Sequence, residues 1–283
     1  MALPAAPGRP PPAARPRPLA VERAPPAPPP LAGGAHLVRT TAPPEGLRDG
    51  LEDRSALPGA GTGGVRASGS GRGGPPVKAR LAAFCSHGGS NFAAIADAAL
   101  RGEIPIDVAL MIHNNARAGA AARAAERGIA AAWVPRGGFP DDGAYEARLQ
   151  ELLDEHAIEY IALAGFMQLI PRSVVRRYSG RMTNIHPALL PLFGGRGFYG
   201  SRVHEAVFAA GMKVSGPTVH LVDEEYDCGP ILAQRAVSIE DCRTPGEIAA
   251  RVLVEEHRLY PETLGRLVRG LYRIEGGRAV LAV

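Results

Sequence analysis

From residue 78 onward, short apolar runs alternate with helix-length stretches, and few architectures accommodate that rhythm. Residues 80–85 (RLAAFC) form a brief apolar run, broken by Ser86-His87-Gly88-Gly89-Ser90-Asn91. A helix is expected over 91–101, with Phe92, Ile95, Ala99 and Leu100 near one face. Residues 106–113 (IDVALMIH) read as a second buried strand, 118–127 as an Ala-rich helix ended by Gly128, and 131–134 as a third strand. A helix over 141–156, a strand over 160–164, a helix opened by proline over 171–178 and a strand over 181–185 complete this part. Strands that feed helices of this length imply an α/β fold, with a mostly parallel sheet covered on both faces.

The pattern then changes. Residues 203–210 are helical, whereas 215–222 and 231–237 are β-rich runs separated by an acidic turn, like a hairpin. A long helix runs from Thr244 to about Leu267, with Thr244 and Glu247 as its capping box. Residues 272–282 look like a last small hairpin turning at Gly276-Gly277.

What precedes residue 77 is of another kind. Residues 1–76 hold 17 of the 27 prolines and 13 of the 35 glycines, with no sustained period. Such a composition buries too little apolar surface to offset chain entropy, so 1–76 is expected to be a disordered extension and 77–283 the folded domain. Nine arginines against five acidic residues fall in 1–76; the remainder balances 23 basic against 23 acidic side chains. The basic pI near 9.2 is therefore a property of the first segment, and the domain has no nucleic-acid signature. Proline interrupts any secretory apolar core, and no run approaches the roughly 20 apolar residues of a membrane span. Cys85, Cys228 and Cys242 form no CxxC and leave one thiol over in any pairing, which suits a reducing cytoplasm.

Four segments carry candidate chemistry. The glycines of the first strand-to-helix turn let the backbone approach a ligand, and Ser90 and Asn91 stand where a helix starts with free N–H groups, an arrangement that suits phosphate. A tight turn with an Asn cap has the same sequence. Thr183-Asn184-Ile185-His186-Pro187 ends a parallel strand, where open α/β sheets bind ligands. Alternation places Asn184 and His186 on one side, where an amide and an imidazole can stabilise an oxyanion; a capping Asn and a backbone-satisfied His fit the residues equally. Asp227, in Asp223-Glu224-Glu225-Tyr226-Asp227-Cys228-Gly229-Pro230, is either part of a solvated tip or a buried carboxylate that raises the pKa of His186 and accepts protons. His220, on the strand leading into that turn, is a further polar group for the same cleft or a structural one. Glu255-Glu256-His257 lies in the long helix. The eight histidines show no HExxH and no ligand spacing, so no metal is expected.

In this order, GGSN at 88–91, AGFMQLI at 164–170, NIHPALLP at 184–191, D-x-G-P at 227–230 and EEHRLYP at 255–261 resemble phosphoribosylglycinamide formyltransferase over about 80–275. The resemblance implies a Rossmann-like formyltransferase fold with a β-hairpin-like C-terminal part. It implies formyl transfer from the co-substrate 10-formyltetrahydrofolate to the amine of N1-(5-phospho-D-ribosyl)glycinamide in purine (IMP) biosynthesis. On that basis Gly89, Ser90 and Asn91 hold the phosphate and Glu256 the ribose, with Val254 and Glu255 shaping that wall. Met167, Gln168, Leu169, Ile170 and Asp223 line the folate pocket. Asn184 binds the formyl oxygen, a protonated His186 is the catalytic histidine, and Asp227 fixes its charge and relays protons. The stretch Gly197-Phe198-Tyr199-Gly200-Ser201-Arg202-Val203-His204 departs from the Gly-His-Thr-His of many members, and no arginine is carried over to the folate side.

The implied partners are small molecules, with neither nucleic acid nor membrane, and a monomer or homodimer. Formyltetrahydrofolate hydrolase shares this core, but a folded regulatory domain precedes it there, which the composition of 1–76 does not provide. A methionyl-tRNA formyltransferase calls for a following β-barrel and a basic surface. A non-catalytic Rossmann-like nucleotide-binding protein explains the sheet and GGSN but has no use for Asn184, His186 and Asp227 together.

Overall fold

In the computed structural model, which describes residues 78–282, β1 (Ala79–Cys85), β2 (Ile106–His113), β3 (Ala130–Trp133), β4 (Tyr160–Leu163) and β5 (Met182–His186) are parallel strands. They are linked by α1 (Ser90–Leu100), α2 (Gly119–Glu126), α3 (Asp142–Glu155) and α4 (Arg172–Arg177). After α5 (Ser201–Ala209) and β6 (Val214–Ser215), β7 (Thr218–Leu221) pairs antiparallel with β5, and β8 (Ile231–Gln234) pairs antiparallel with β7. The sheet order is β3-β2-β1-β4-β5-β7-β8. β9 (Val237–Ser238) pairs with β6; α6 (Pro245–Val268) and the β10 (Tyr272–Glu275)–β11 (Arg278–Leu281) hairpin follow. The mostly parallel α/β sheet expected from the sequence is present, and the last hairpin turns at Gly276 and Gly277, both at positive φ. The extension expected over 1–76 lies outside the described residues.

Period-two alternation splits the core into two layers. Leu81 and Ala83 of β1 pack with Phe92 and Ile95 of α1 and with Leu259, Tyr260 and Leu264 of α6. Ala82 and Phe84 face the other way, toward Tyr145 and Leu149 of α3 and Val174 of α4. Phe92, Ile95 and Ala99 are buried as expected, but Leu100 is 65% exposed. It lies beyond the stripe that α1 turns to the sheet.

The two β-rich runs are also less continuous than the sequence suggests. Each splits, so that β6–β9 forms a separate two-stranded ladder beside β7–β8. Gly216 is the reason: at φ 145° it passes so close to the Arg235 carbonyl that a Cβ would lie 1.9 Å from that oxygen. Pro217, with no N–H, then ends the first ladder. At the start of α6, Thr244 Oγ1 accepts from the Glu247 N–H at 3.2 Å, but Glu247 reaches back to the Arg243 N–H, one residue before the cap.

One buried tyrosine fastens α6 over the sheet edge that carries the cleft. Tyr260 is fully buried, and its hydroxyl lies 3.2 Å from the carbonyls of Leu163 and Thr183 and 3.1 Å from Thr183 Oγ1. Tyr260→Phe leaves these acceptors dry and one partner short. We expect it to cost about 1–3 kcal/mol, read as a lower urea midpoint at unchanged slope. A variant as stable as the original would deny the hydroxyl this fastening role.

Candidate active site

The carboxyl ends of β1, β4 and β5 open into one cleft of about 910 Å³. A parallel sheet directs its loops there.

At the end of β1, Gly89 caps α1 in the left-handed region, and a Cβ on it would come 2.6 Å from that of Ala120. Only glycine fits between α1 and α2 at this point. The first intrahelical acceptor in α1 is the Gly89 carbonyl, taken by the Ala93 N–H at 2.9 Å. The N–H groups before Ala93 have no acceptor within the helix. Gly89, Ser90 and Asn91 all line the cleft. The Asn91 side chain turns inward instead, and its Nδ2 donates to Glu256 Oε2 at 2.5 Å. Burial pushes the Glu256 carboxyl above its ordinary range, with the Asn91 contact opposing. The helix face is narrower than expected: Ala249, Ala250, Leu253 and Glu256 line the cleft, spaced as one side of a helix, while Val254 and Glu255 do not. Val254 is 50% exposed, and Glu255 is engaged by Arg235 and Arg258.

At the end of β4, Met167, Gln168, Leu169 and Ile170 line the opposite wall. Ser86 Oγ accepts from the Met167 N–H at 2.7 Å, tying this loop to β1. Gln168 Oε1 is buried without a partner. Asp223 lies across from them on the 223–227 turn, where Arg176 and Arg172 hold Glu224. Arg136 pairs with Asp142 away from the cleft; the arginines that line it are Arg172 and Arg196.

Asn184 and His186 project from β5 into the same space, and Asp227 meets them from the turn. His186 Nε2 donates to the Phe193 carbonyl at 2.8 Å, so Nδ1, 3.6 Å from Asp227 Oδ2, is the nitrogen left for chemistry. Asp227 sits at φ 56°, and its Oδ2 also accepts from the Gly195 N–H at 2.8 Å. Burial works most strongly against its ionisation, but the His220 and Gly195 contacts and His186 together hold it below the usual carboxylate range. For His186 the balance is the reverse of the expectation. Burial outweighs Asp227 and the Phe193 carbonyl and draws the imidazole below its ordinary value. Burial thus works against the protonated ring that the resemblance implies, while Asp227 works for it.

Two further histidines belong to the cleft; the sequence carries no signal for His204 and leaves His220 open between a polar group of the cleft and a structural residue. His204 of α5 is buried, with Nδ1 unpartnered. His220 touches both Asn184 and Asp227. Strand pairing alone could reveal the second, because it is the register partner of Asn184 across β5–β7.

The buried imidazoles give a stability prediction. His186, His204 and His257 are all drawn below the ordinary imidazole value of about 6.5, chiefly by burial. Below about that pH the unfolded chain binds protons that the folded one refuses, so stability falls as pH falls. Glu256, with its raised value, acts oppositely but alone. The melting temperature should drop from pH 7 to 5.5, and His204→Gln should make the drop shallower. An unchanged slope would mean His204 titrates alike folded and unfolded.

Among the described residues no helix is long and apolar enough to cross a membrane. Residues 79–264 match the model of the formyl transferase family. The chain is 44% identical over 193 residues to the chloroplastic phosphoribosylglycinamide formyltransferase of Arabidopsis thaliana, covering 68% of this chain and 66% of that one. It thus spans just under two thirds of that relative's length. It is 37% identical to phosphoribosylglycinamide formyltransferase of Bacillus subtilis, covering 67% of this chain and 94% of the relative. The crystal structure of glycinamide ribonucleotide transformylase 1 from Symbiobacterium toebii superposes with a TM-score of 0.71 at 33% identity, covering 77% of this chain and all of that one. A match over most of the described domain, together with this cleft, shows that the chain belongs to the formyl transferase family.

Proposed function

We propose that the chain transfers the formyl group of 10-formyltetrahydrofolate to the amine of N1-(5-phospho-D-ribosyl)glycinamide, a step of purine biosynthesis, with residues 77–283 as the catalytic unit. One observation carries the reading: a single cleft joins a phosphate-type turn and a buried Glu256 on the α1–α6 side to the 167–170 loop on the other, with Asn184, His186 and Asp227 at the same strand ends. The ribonucleotide takes the first side: N–H groups of the Gly89–Asn91 turn on the phosphate and Glu256 on the ribose hydroxyls. The folate takes the second, against Met167, Gln168, Leu169, Ile170 and Asp223.

The neutral amine attacks the formyl carbon while Asn184 donates to the developing oxyanion. His186 Nδ1 takes the amine proton, and the imidazolium formed is stabilised by Asp227 and the oxyanion. The proton then passes to the leaving folate nitrogen as its bond to the formyl carbon breaks. Holding two substrates in one cleft supplies much of the remaining rate. Three free thiols suit a reducing compartment, which we assign as the cytoplasm; a fluorescent fusion seen inside an organelle would refute that assignment.

The test is a formyl-transfer assay with the ribonucleotide, water and initiator tRNA as competing acceptors. Formylated ribonucleotide as the main product is expected. Net hydrolysis would favour the formyltetrahydrofolate hydrolase reading, and formylated tRNA would refute the choice of acceptor.

A further inference from the structure

His220 is 2% exposed and stands opposite Asn184 in the β5–β7 ladder. Its Nδ1 lies 2.8 Å from the Leu221 carbonyl oxygen, which can only accept, so Nδ1 carries a hydrogen. In the neutral ring Nε2 is then a lone pair. Asn184 Nδ2 is 3.1 Å from it and is therefore the donor. An amide is planar: once one N–H is committed to His220, the directions of the second N–H and of Oδ1 are both fixed.

This bears on the chemistry, because a rotated amide is nearly the same shape but opposite in polarity. With Nδ2 held by His220, a second hydrogen remains to meet the formyl oxygen. Turned by half a rotation, Asn184 would offer a lone pair where negative charge develops. Asp227 Oδ1 is 3.5 Å from His220 Nε2, too long for a good hydrogen bond, so the 3.1 Å contact with Asn184 is the one that Nε2 makes.

We propose that His220 is a positioning residue that fixes the amide of Asn184 with an N–H directed at the formyl oxygen. It deepens the proposed formyl transfer and rests on that reading. His220 itself touches no reacting atom; it acts through Asn184, and that indirectness is testable.

His220→Ala is expected to lower kcat by about 10²-fold, the scale of a lost oxyanion donor, with KM for both substrates near that of the unaltered protein. Asn184→Ala with His220→Ala should lose no more than Asn184→Ala alone, because the two residues act as one. His220→Gln, whose amide oxygen can still accept from Asn184, should recover part of kcat. Losses that multiply in the double variant, or an unchanged kcat in His220→Ala, would overturn the assignment. The ring is also read without turnover, by ¹⁵N NMR of the full-length protein. A His220 protonated on Nδ1 is expected, and an Nε2–H ring would overturn the proposal whatever the enzyme's acceptor proves to be. Failure of the unaltered chain to transfer formyl would refute the proposed function and leave the ring measurement standing.

Discussion

Replacing Asp227 by Asn is expected to lower kcat by about 10²–10⁴-fold, the range for a lost acid–base partner, while folate affinity stays near its original value. The substitution is close to isosteric, so the Gly195 N–H can still donate to the side-chain oxygen and the turn keeps its shape. The carboxylate charge beside His186 Nδ1 is lost. Burial already draws His186 toward its neutral form, and without Asp227 the imidazolium that must form keeps only the Phe193 carbonyl and the oxyanion as support. Single-turnover rates and titration of a folate analogue separate the two effects. Near-normal kcat would remove Asp227 from the chemistry, whereas a parallel loss of folate affinity would make its role structural.

Gly229→Ala should have a comparable effect for a different reason. A Cβ at this position would lie 1.9 Å from the Leu221 carbonyl oxygen, with the Leu221 carbonyl carbon and the Asp223 nitrogen also close. The strands must separate, and overpacking of this kind costs about 1–3 kcal/mol. Asp227 is two residues away and held at φ 56° by the same turn. A shift of about 1 Å there can cost about 10²-fold in rate. Both a lower melting temperature and a lower kcat are therefore expected. A variant that melts lower yet turns over normally would show that Asp227 keeps its place independently of Gly229.

The sequence was most informative where local pattern and burial coincide. Residues 106–113 alternate within a continuous apolar run, and β2 occupies that span. Asn184 and His186 could be placed together because strand alternation is local. His220 could not be promoted above a structural reading, since its meaning depends on which strand lies beside β5. The place of Asn91 at a helix start is legible in the sequence, but the reach of its side chain to Glu256, a partner far along the chain, is not. The splitting of 215–222 and 231–237 escaped notice because it arises from a close approach of two backbones, which no window of one strand contains. The pull of burial on His186 is hidden for a related reason: the carboxylate is visible in the sequence, and the depth of burial is not.

The Asn91–Glu256 bond joins residues 165 positions apart, on the first and last helices of the domain. Half of the proposed ribonucleotide pocket is thus completed only when nearly the entire domain has folded. A fragment ending before α6 would still contain the GGSN turn but would lack the carboxyl that completes it. Ligand occupancy should therefore be linked to global unfolding more than to the opening of any one loop. Hydrogen exchange with ribonucleotide bound should slow together in α1 and α6, so that the pocket reports on the integrity of the whole domain.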